Sequence, residues 1–308
     1  MLELLLAAAL LGTPISARDT LIQVNEGDYL VLKGFTGALE VEGWNRTELR
    51  AQADADETLL FRFSRSGNRI DLEVLDRKDR NRSEDLRLLV PSWMRLDVSG
   101  PNLDVEVRGL TGEVRIRNLK GDLVLQDLVG NVDASTVEGS IDAVGLGGRA
   151  RLTTGNDEIT ILESSAQLVL ESVSGDIELR GSSAPGIEAR TTDGDVDFTG
   201  RLLPGGDYGF RSHSGDLTFT LESPVNADVT VLAYEGEFKS EFPVRTRGFR
   251  SGQNLEFTIG EGGTRVLLEA FDGEVTLRRG GSGDPGPVAF SGILPVGRKT
   301  NREEPRHP

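Results

Sequence analysis

Residues 191–200 read TTDGDVDFTG, with Asp193, Asp195 and Asp197 at alternate positions around Gly194. The stretch is either the opening of a calcium loop or a turn between two strands, and the choice decides the fold. An EF-hand loop needs further oxygen ligands and a bidentate Glu at its twelfth position. No such Glu follows Asp193, and Val196 and Phe198 continue an apolar alternation instead. The nonapeptide calcium repeat is also missing, since only GGSGD near the C-terminus approaches it. Glycine supplies the positive φ of a tight turn, and Asp can bond its own turn backbone, so the stretch reads as a turn.

The same pattern recurs. Gly194 aligns with Gly175, Gly215, Gly236 and Gly273. Seven, five and three residues before each glycine stand Leu168, Leu170 and Ser172; Ile187, Ala189 and Thr191; Tyr208, Phe210 and Ser212; Val229, Val231 and Ala233; Val266, Leu268 and Ala270. Two and four residues after it stand Ile177 and Leu179, Val196 and Phe198, Leu217 and Phe219, Phe238 and Ser240, Val275 and Leu277. Each unit is therefore strand, turn, strand, with a side-chain period of two on both sides of the glycine. The position three before the glycine is always small, as a crowded corner requires. Gly112, Gly121, Gly130 and Gly139 recur every nine residues, so both corners carry glycine there. Gly155 and Gly252 head degenerate copies, each with residues inserted before the next apolar pair, so the register is expected to slip there with small irregularities.

Repeats at one period and in one register predict an all-β protein, a β-solenoid: a single-stranded β-helix-like stack of two-strand coils about 20 residues long. Stacked at about 4.8 Å, a dozen coils make a rod of about 55 Å. An antiparallel meander suits the turn dipeptides but has no need to place like residues above like. Four segments follow. Residues 1–17 read as a signal peptide, with an apolar run from Leu4 to Leu11, Gly12 and Pro14 after it, and small Ser16 and Ala17 at the cleavage point. That run is too short to span a membrane. Residues 18–100 are a β-rich lead-in of the same solenoid, 101–279 the repeats, and 280–308 a flexible tail rich in Gly, Pro and charge. DRKDRNRSED, residues 76–85, reads as a solvated loop.

Composition narrows the function. Fifty acidic residues against 34 basic ones give a net charge of −16, which repels nucleic acid. There is no cysteine, so disulfides, thiolate chemistry and Cys-based metal sites are excluded.

SVSGDIELRG, TTDGDVDFTG and SHSGDLTFTL, preceded by GALEVEGWNRTELRAQA and LRLLVPSWMRLDVSG, resemble a bacterial family of β-strand-repeat domains of unknown function, called “putative adhesins”. The resemblance covers nearly all of the chain after residue 17. It implies an exported β-helical protein in the periplasm, on the cell surface or outside the cell. It carries no catalytic residues, and none is assigned.

The residues with chemical potential are few. The position after each glycine stacks as an acidic column of Asp176, Asp195, Asp216, Glu237 and later Glu274, in which like charges near 5 Å apart disfavour one another. Calcium would relieve that repulsion, with Asp176, Asp193, Asp195 and Asp216 as its candidate ligands; screening by Arg180, Arg190 and solvent is the plainer account. SHSGD brings Ser212, His213, Ser214 and Asp216 together, but a triad is assembled from separate elements around a buried, oriented His, and this one sits on a corner. His307, the other histidine, lies in the tail. Trp44 and Trp93 each follow a strand edge and are expected to pack the first coils rather than stack on sugar. The reading is a binding or structural module without catalytic activity, recognising an envelope or surface polysaccharide or protein on a charged, Thr-rich strand face. A polysaccharide lyase or hydrolase is the enzymatic alternative, requiring a groove of long loops. Self-association through open strand edges is the structural one.

Overall fold

A computed structural model describes residues 19–53, 59–76, 84–244 and 254–280. The segment read as a signal peptide, most of the 76–85 loop, Gly252 and the tail after residue 280 lie outside them. All described elements are strands, arranged in two sheets of thirteen. From Arg95 onward each coil gives one strand to each sheet, and neighbouring strands pair in parallel except at the edge strand Asn254–Ile259. The meander is thereby excluded, and the solenoid expectation holds. Twelve steps of about 4.8 Å make each stack about 58 Å tall.

The coil is not uniform at about 20 residues. Val114 lies over Val132, Leu123 over Ile141, Ile141 over Ile159 and Ile159 over Ile177, so 18 residues make a turn. It then lengthens, with Ile177 over Val196 and Val196 over Leu217. Buried Tyr208 accommodates the last increment: its hydroxyl donates to the Ala184 carbonyl at 2.6 Å and accepts the Leu203 N–H at 2.8 Å, tying down the longer loop.

Two expectations about register are corrected. No residues are inserted at Gly155. Thr136 to Ile141 and Thr154 to Ile159 span the same count, and Ile159 stays in register on both sides. The glycine has moved two positions, and Asp157 fills the corner that glycine holds in its neighbours. The register shift falls between Arg180 and Ser182 instead. The last coil is also out of order. Arg265–Asp272 and Val275–Gly280 insert between the coil of Asp207–Ser214 and Leu217–Glu222 and the coil of Ala227–Ala233 and Phe238–Ser240. Glu274 therefore follows Asp216 in the acidic column, and Glu237 comes last.

Alternation aims one side-chain set from each sheet inward to a single core of Leu, Ile, Val and Ala. Toward the C-terminal end the core widens around Phe198, Phe210 and Phe219, whose ring centroids lie 4.6–5.4 Å apart across the two sheets. Three of the four sheet edges are antiparallel: Asp19–Gln23 on Glu48–Ala53, Leu59–Ser66 on Arg69–Asp76, and Asn254–Ile259 on Ala227–Ala233. The N-terminal cap is pinned by buried Asp28, which pairs with Arg65 at 2.8 Å and accepts the Asn25 N–H at 2.7 Å. Trp93 packs against the core, whereas Trp44 is half-exposed, donating Nε1–H to the Glu48 carbonyl at 2.8 Å beneath the Arg46 guanidinium.

The corners are where stacking is tightest. A Cβ added to Gly215, whose φ is +154°, would lie 2.0 Å from the Gly194 carbonyl oxygen. Gly209, on an outward strand position, has only the far end of Arg211 within 4.0 Å of such a Cβ. Gly215→Ala is expected to lose about 3 kcal/mol in chemical denaturation, while Gly209→Ala is expected to be neutral or to gain up to about 1 kcal/mol.

Candidate functional site

Three columns run along the glycine corner, and two of them are committed to holding coils together. The small residue three before the corner glycine is one. Thr136, Thr154, Thr191 and Ser212 donate their hydroxyls to the carbonyls of Gly121, Gly139, Gly175 and Gly194 at 3.1, 2.9, 3.0 and 2.9 Å. These carbonyls belong to the preceding coil. Ser172 faces Asp157 instead of a glycine, and its buried Oγ has no partner.

The acidic column is the second. Asp176 Oδ1 accepts the Asp195 N–H at 2.8 Å, Asp195 Oδ1 the Asp216 N–H at 2.7 Å, and Asp216 Oδ1 the Glu274 N–H at 2.7 Å. Asp104 and Asp122 do the same for Asp122 and Ser140. Each carboxylate thus closes one exposed backbone N–H of the next coil. Of the candidate calcium ligands, Asp176, Asp195 and Asp216 share this column, while Asp193 stands apart on the other side of its glycine. Among the described residues no group of three or more His, Asp or Glu side chains is placed to hold a metal ion.

Carboxylates crowd one another where the strand residues of this sheet lie beside the acidic column. Burial raises the pKa of Asp142 above the usual carboxylate range, and Glu158 and Asp122 add to the shift. Asp197 is also raised by burial, with the Thr218 hydroxyl opposing and Asp195 reinforcing. On the opposite sheet arginines and carboxylates are interspersed along the stack. Arg115 reaches Glu113 at 2.8 Å and Asp133 at 3.7 Å, Arg151 reaches Glu171 at 3.4 Å, and Arg211 bridges Glu188 and Glu269 at 3.0 Å each.

The third column carries rings. His213 is exposed, as a corner position requires, and its ring stacks on Phe271 at 4.8 Å and 18°. Tyr234 continues the row, 5.6 Å from Phe271. Ser212 is buried and turned to the Gly194 carbonyl, so Ser212 and His213 do not form a nucleophile–base pair. Beside the row, on that opposite sheet, lies an open groove of about 720 Å³. Glu171, Arg190, Arg211 and Glu269 line it with Thr192 and the three rings. It is built by strand faces, not by long loops. A smaller notch of about 320 Å³ lies further along the same strands, where Gly186 and Gly209 carry no side chain; Glu188 lines it, and Arg211 borders both it and the groove. His213 was visible in sequence; the stack was not, because Phe271 and Tyr234 come from coils whose order the repeats do not reveal.

With this geometry in hand, comparisons with known proteins are informative about family. The family model described as Toastrack DUF4097 matches residues 81–278. No curated protein matches the chain. Two solved structures are similar to it: one described as a “putative cell adhesion protein” from Clostridium sporogenes, 12% identical over 87% of this chain and 100% of that one with a TM-score of 0.27, and a “putative adhesin” from Bacteroides fragilis, 13% identical over 85% and 95% with a TM-score of 0.39. Among the described residues no helix is long and apolar enough to cross a membrane.

Two predictions follow the columns. Thr191→Val removes a buried hydroxyl and orphans the Gly175 carbonyl, and is expected to lose about 1–2 kcal/mol in urea denaturation, whereas Ser172→Ala is expected to lose nothing. Asp142 has a folded pKa above its unfolded value, so ionisation costs stability, and the cost grows as pH rises through that window. Asp142→Asn is therefore expected to raise Tm at pH 7 and to leave it unchanged at about pH 3, below the ordinary Asp range.

Proposed function

The chain belongs to the Toastrack DUF4097 family, and from that premise we propose that it is an exported, adhesin-like binding module of the bacterial envelope, acting by recognition and not by chemistry. The observation that carries this reading is the groove beside His213. It combines exposed rings, paired Arg and Glu side chains and a hydroxyl on a rigid strand face, which is the composition of a binding surface. Its side chains are tied to one another in Arg–Glu pairs, and no nucleophile is turned toward a base. The strands beneath it are fixed by parallel ladders on both sides, so the surface is presented with little loss of conformational freedom on binding.

Export is supported by the N-terminal sequence pattern and by the resemblance of the repeats to envelope proteins. The ligand belongs to the envelope or to a neighbouring surface. Stacking end to end into a filament is less well supported, because antiparallel strands at three of four sheet edges interrupt the parallel ladder that such stacking would extend.

Co-sedimentation with isolated bacterial cell walls tests the reading. The full chain is expected to pellet with walls, to stay soluble alone, and to release no soluble sugar. Failure to pellet, or sugar released in proportion to protein, would reject it.

A further inference from the structure

Among the described residues six large apolar side chains are exposed: Leu119, Val129, Val137, Val173, Tyr234 and Phe271. Exposed apolar residues are ordinarily scattered. Here five of the six fall in one column. Each of Leu119, Val137, Val173, Phe271 and Tyr234 stands two residues beyond one of the register partners Arg117, Ser135, Glu171, Glu269 and Leu232. Gly155, Thr192 and His213 complete the row. The result is an apolar ridge one side chain wide along the corner. It is interrupted at Gly155, between Val137 and Val173, and dips at Thr192, between Val173 and His213, where the groove lies. One face of the His213 ring is packed on Phe271, and the coil that carries Thr192 lies on the opposite side of the His213 coil.

Three occupants can be compared. A second copy of the chain fits poorly, since a stable interface needs about 800 Å² from each partner, and the ridge is narrow and lies beside the acidic column. An extended peptide fits poorly too. Strand addition needs free main-chain groups, and those of the ridge are already engaged: the carbonyls of Leu119, Val173 and Phe271 accept the N–H groups of Glu138, Asp193 and Glu235 at 2.9, 2.8 and 2.9 Å. Recognition there has to come from side chains. A sugar ring offers what they suit, an apolar C–H face bounded by hydroxyls that both donate and accept.

We infer that the dip at Thr192 is a glycan-binding site, seating one sugar residue on the open face of His213 with its hydroxyls toward Arg190, Arg211, Glu171 and Glu269. Guanidinium and carboxylate groups supply planar donors and acceptors respectively. Because Arg211 is already balanced by Glu188 and Glu269, the site takes an uncharged glycan rather than a polyanion. The groove's 720 Å³ is within the usual size of a small-ligand site. This inference rests on the proposed binding function and names the ligand class and the place.

The test uses the full chain and three probes: uncharged β-linked oligosaccharides of four to six glucose or N-acetylglucosamine residues, polysaccharide from protease-treated bacterial walls, and untreated walls. Binding is read by saturation-transfer NMR and calorimetry for soluble probes and by pelleting for walls. The wild-type chain is expected to bind an oligosaccharide or the protease-treated polysaccharide. Thr192→Trp, which fills the dip, and His213→Ala, which removes the platform, are each expected to weaken it by about tenfold or more. Val129→Ala, at the exposed apolar position on the other corner, is expected to leave it unchanged. All three positions are exposed, so denaturation midpoints should match the wild type. Pelleting with untreated walls alone identifies a protein ligand and overturns the glycan inference while sparing the module. Binding unchanged in both Thr192→Trp and His213→Ala overturns the site. If neither walls nor saccharides bind the wild type, the proposed function itself fails, and this inference with it.

Discussion

The structure depends on how closely one coil can lie on the next at its corner. A Cβ added to the corner glycines Gly139, Gly175, Gly194 or Gly215 would come within 2.0–2.5 Å of the carbonyl oxygen below. That approach fixes the register of every coil, because glycine at the corner and a two-residue side-chain period leave one way to stack. It also creates two needs: the corner carbonyl requires a donor, and the backbone N–H after the glycine requires an acceptor. The buried hydroxyls and the aspartates meet them. What looks in sequence like a run of acidic candidates is largely the hydrogen-bonding consequence of tight stacking.

Charge follows from the same geometry. Because aspartate is the residue that closes the exposed N–H, acid accumulates on one sheet at one side-chain position per coil. The other sheet has no such requirement and carries Arg and Glu interspersed down the stack. The net charge of −16 is thus unevenly distributed, and the face that holds the groove is close to balanced. Isolated exposed pairs of this kind contribute little to stability. Their value is to keep polar groups ordered beside the exposed rings.

Much of the fold was legible. The glycine, the small residue before it and the alternating apolar positions report the corner, the cramped interior and the two sheets directly. Residue 155 is the exception, because glycine is not the only residue that can mark a corner: Asp157 adopts that place and accepts the Gly139 N–H at 2.8 Å. The lead-in was readable as strand but not as cap, since alternation is the same in parallel and antiparallel strands. Direction is set by which edge remains free when a strand arrives, and that is a property of the assembled stack.

The candidate site shows the same limit more sharply. Its ring stack runs His213, Phe271, Tyr234, whereas the chain meets them as 213, 234, 271. Local sequence decides that a segment is a coil; it does not decide the coil's rank, because each interior coil presents the same corner above and below. The late insertion of the 265–280 coil is what sets Phe271 against His213 and leaves Tyr234 one step further on. Had the coils stacked in chain order, Tyr234 would lie against His213, and Glu269 would not reach Arg211. The groove is therefore a product of coil order, present because the 265–280 coil lies between the two coils that precede it in the chain.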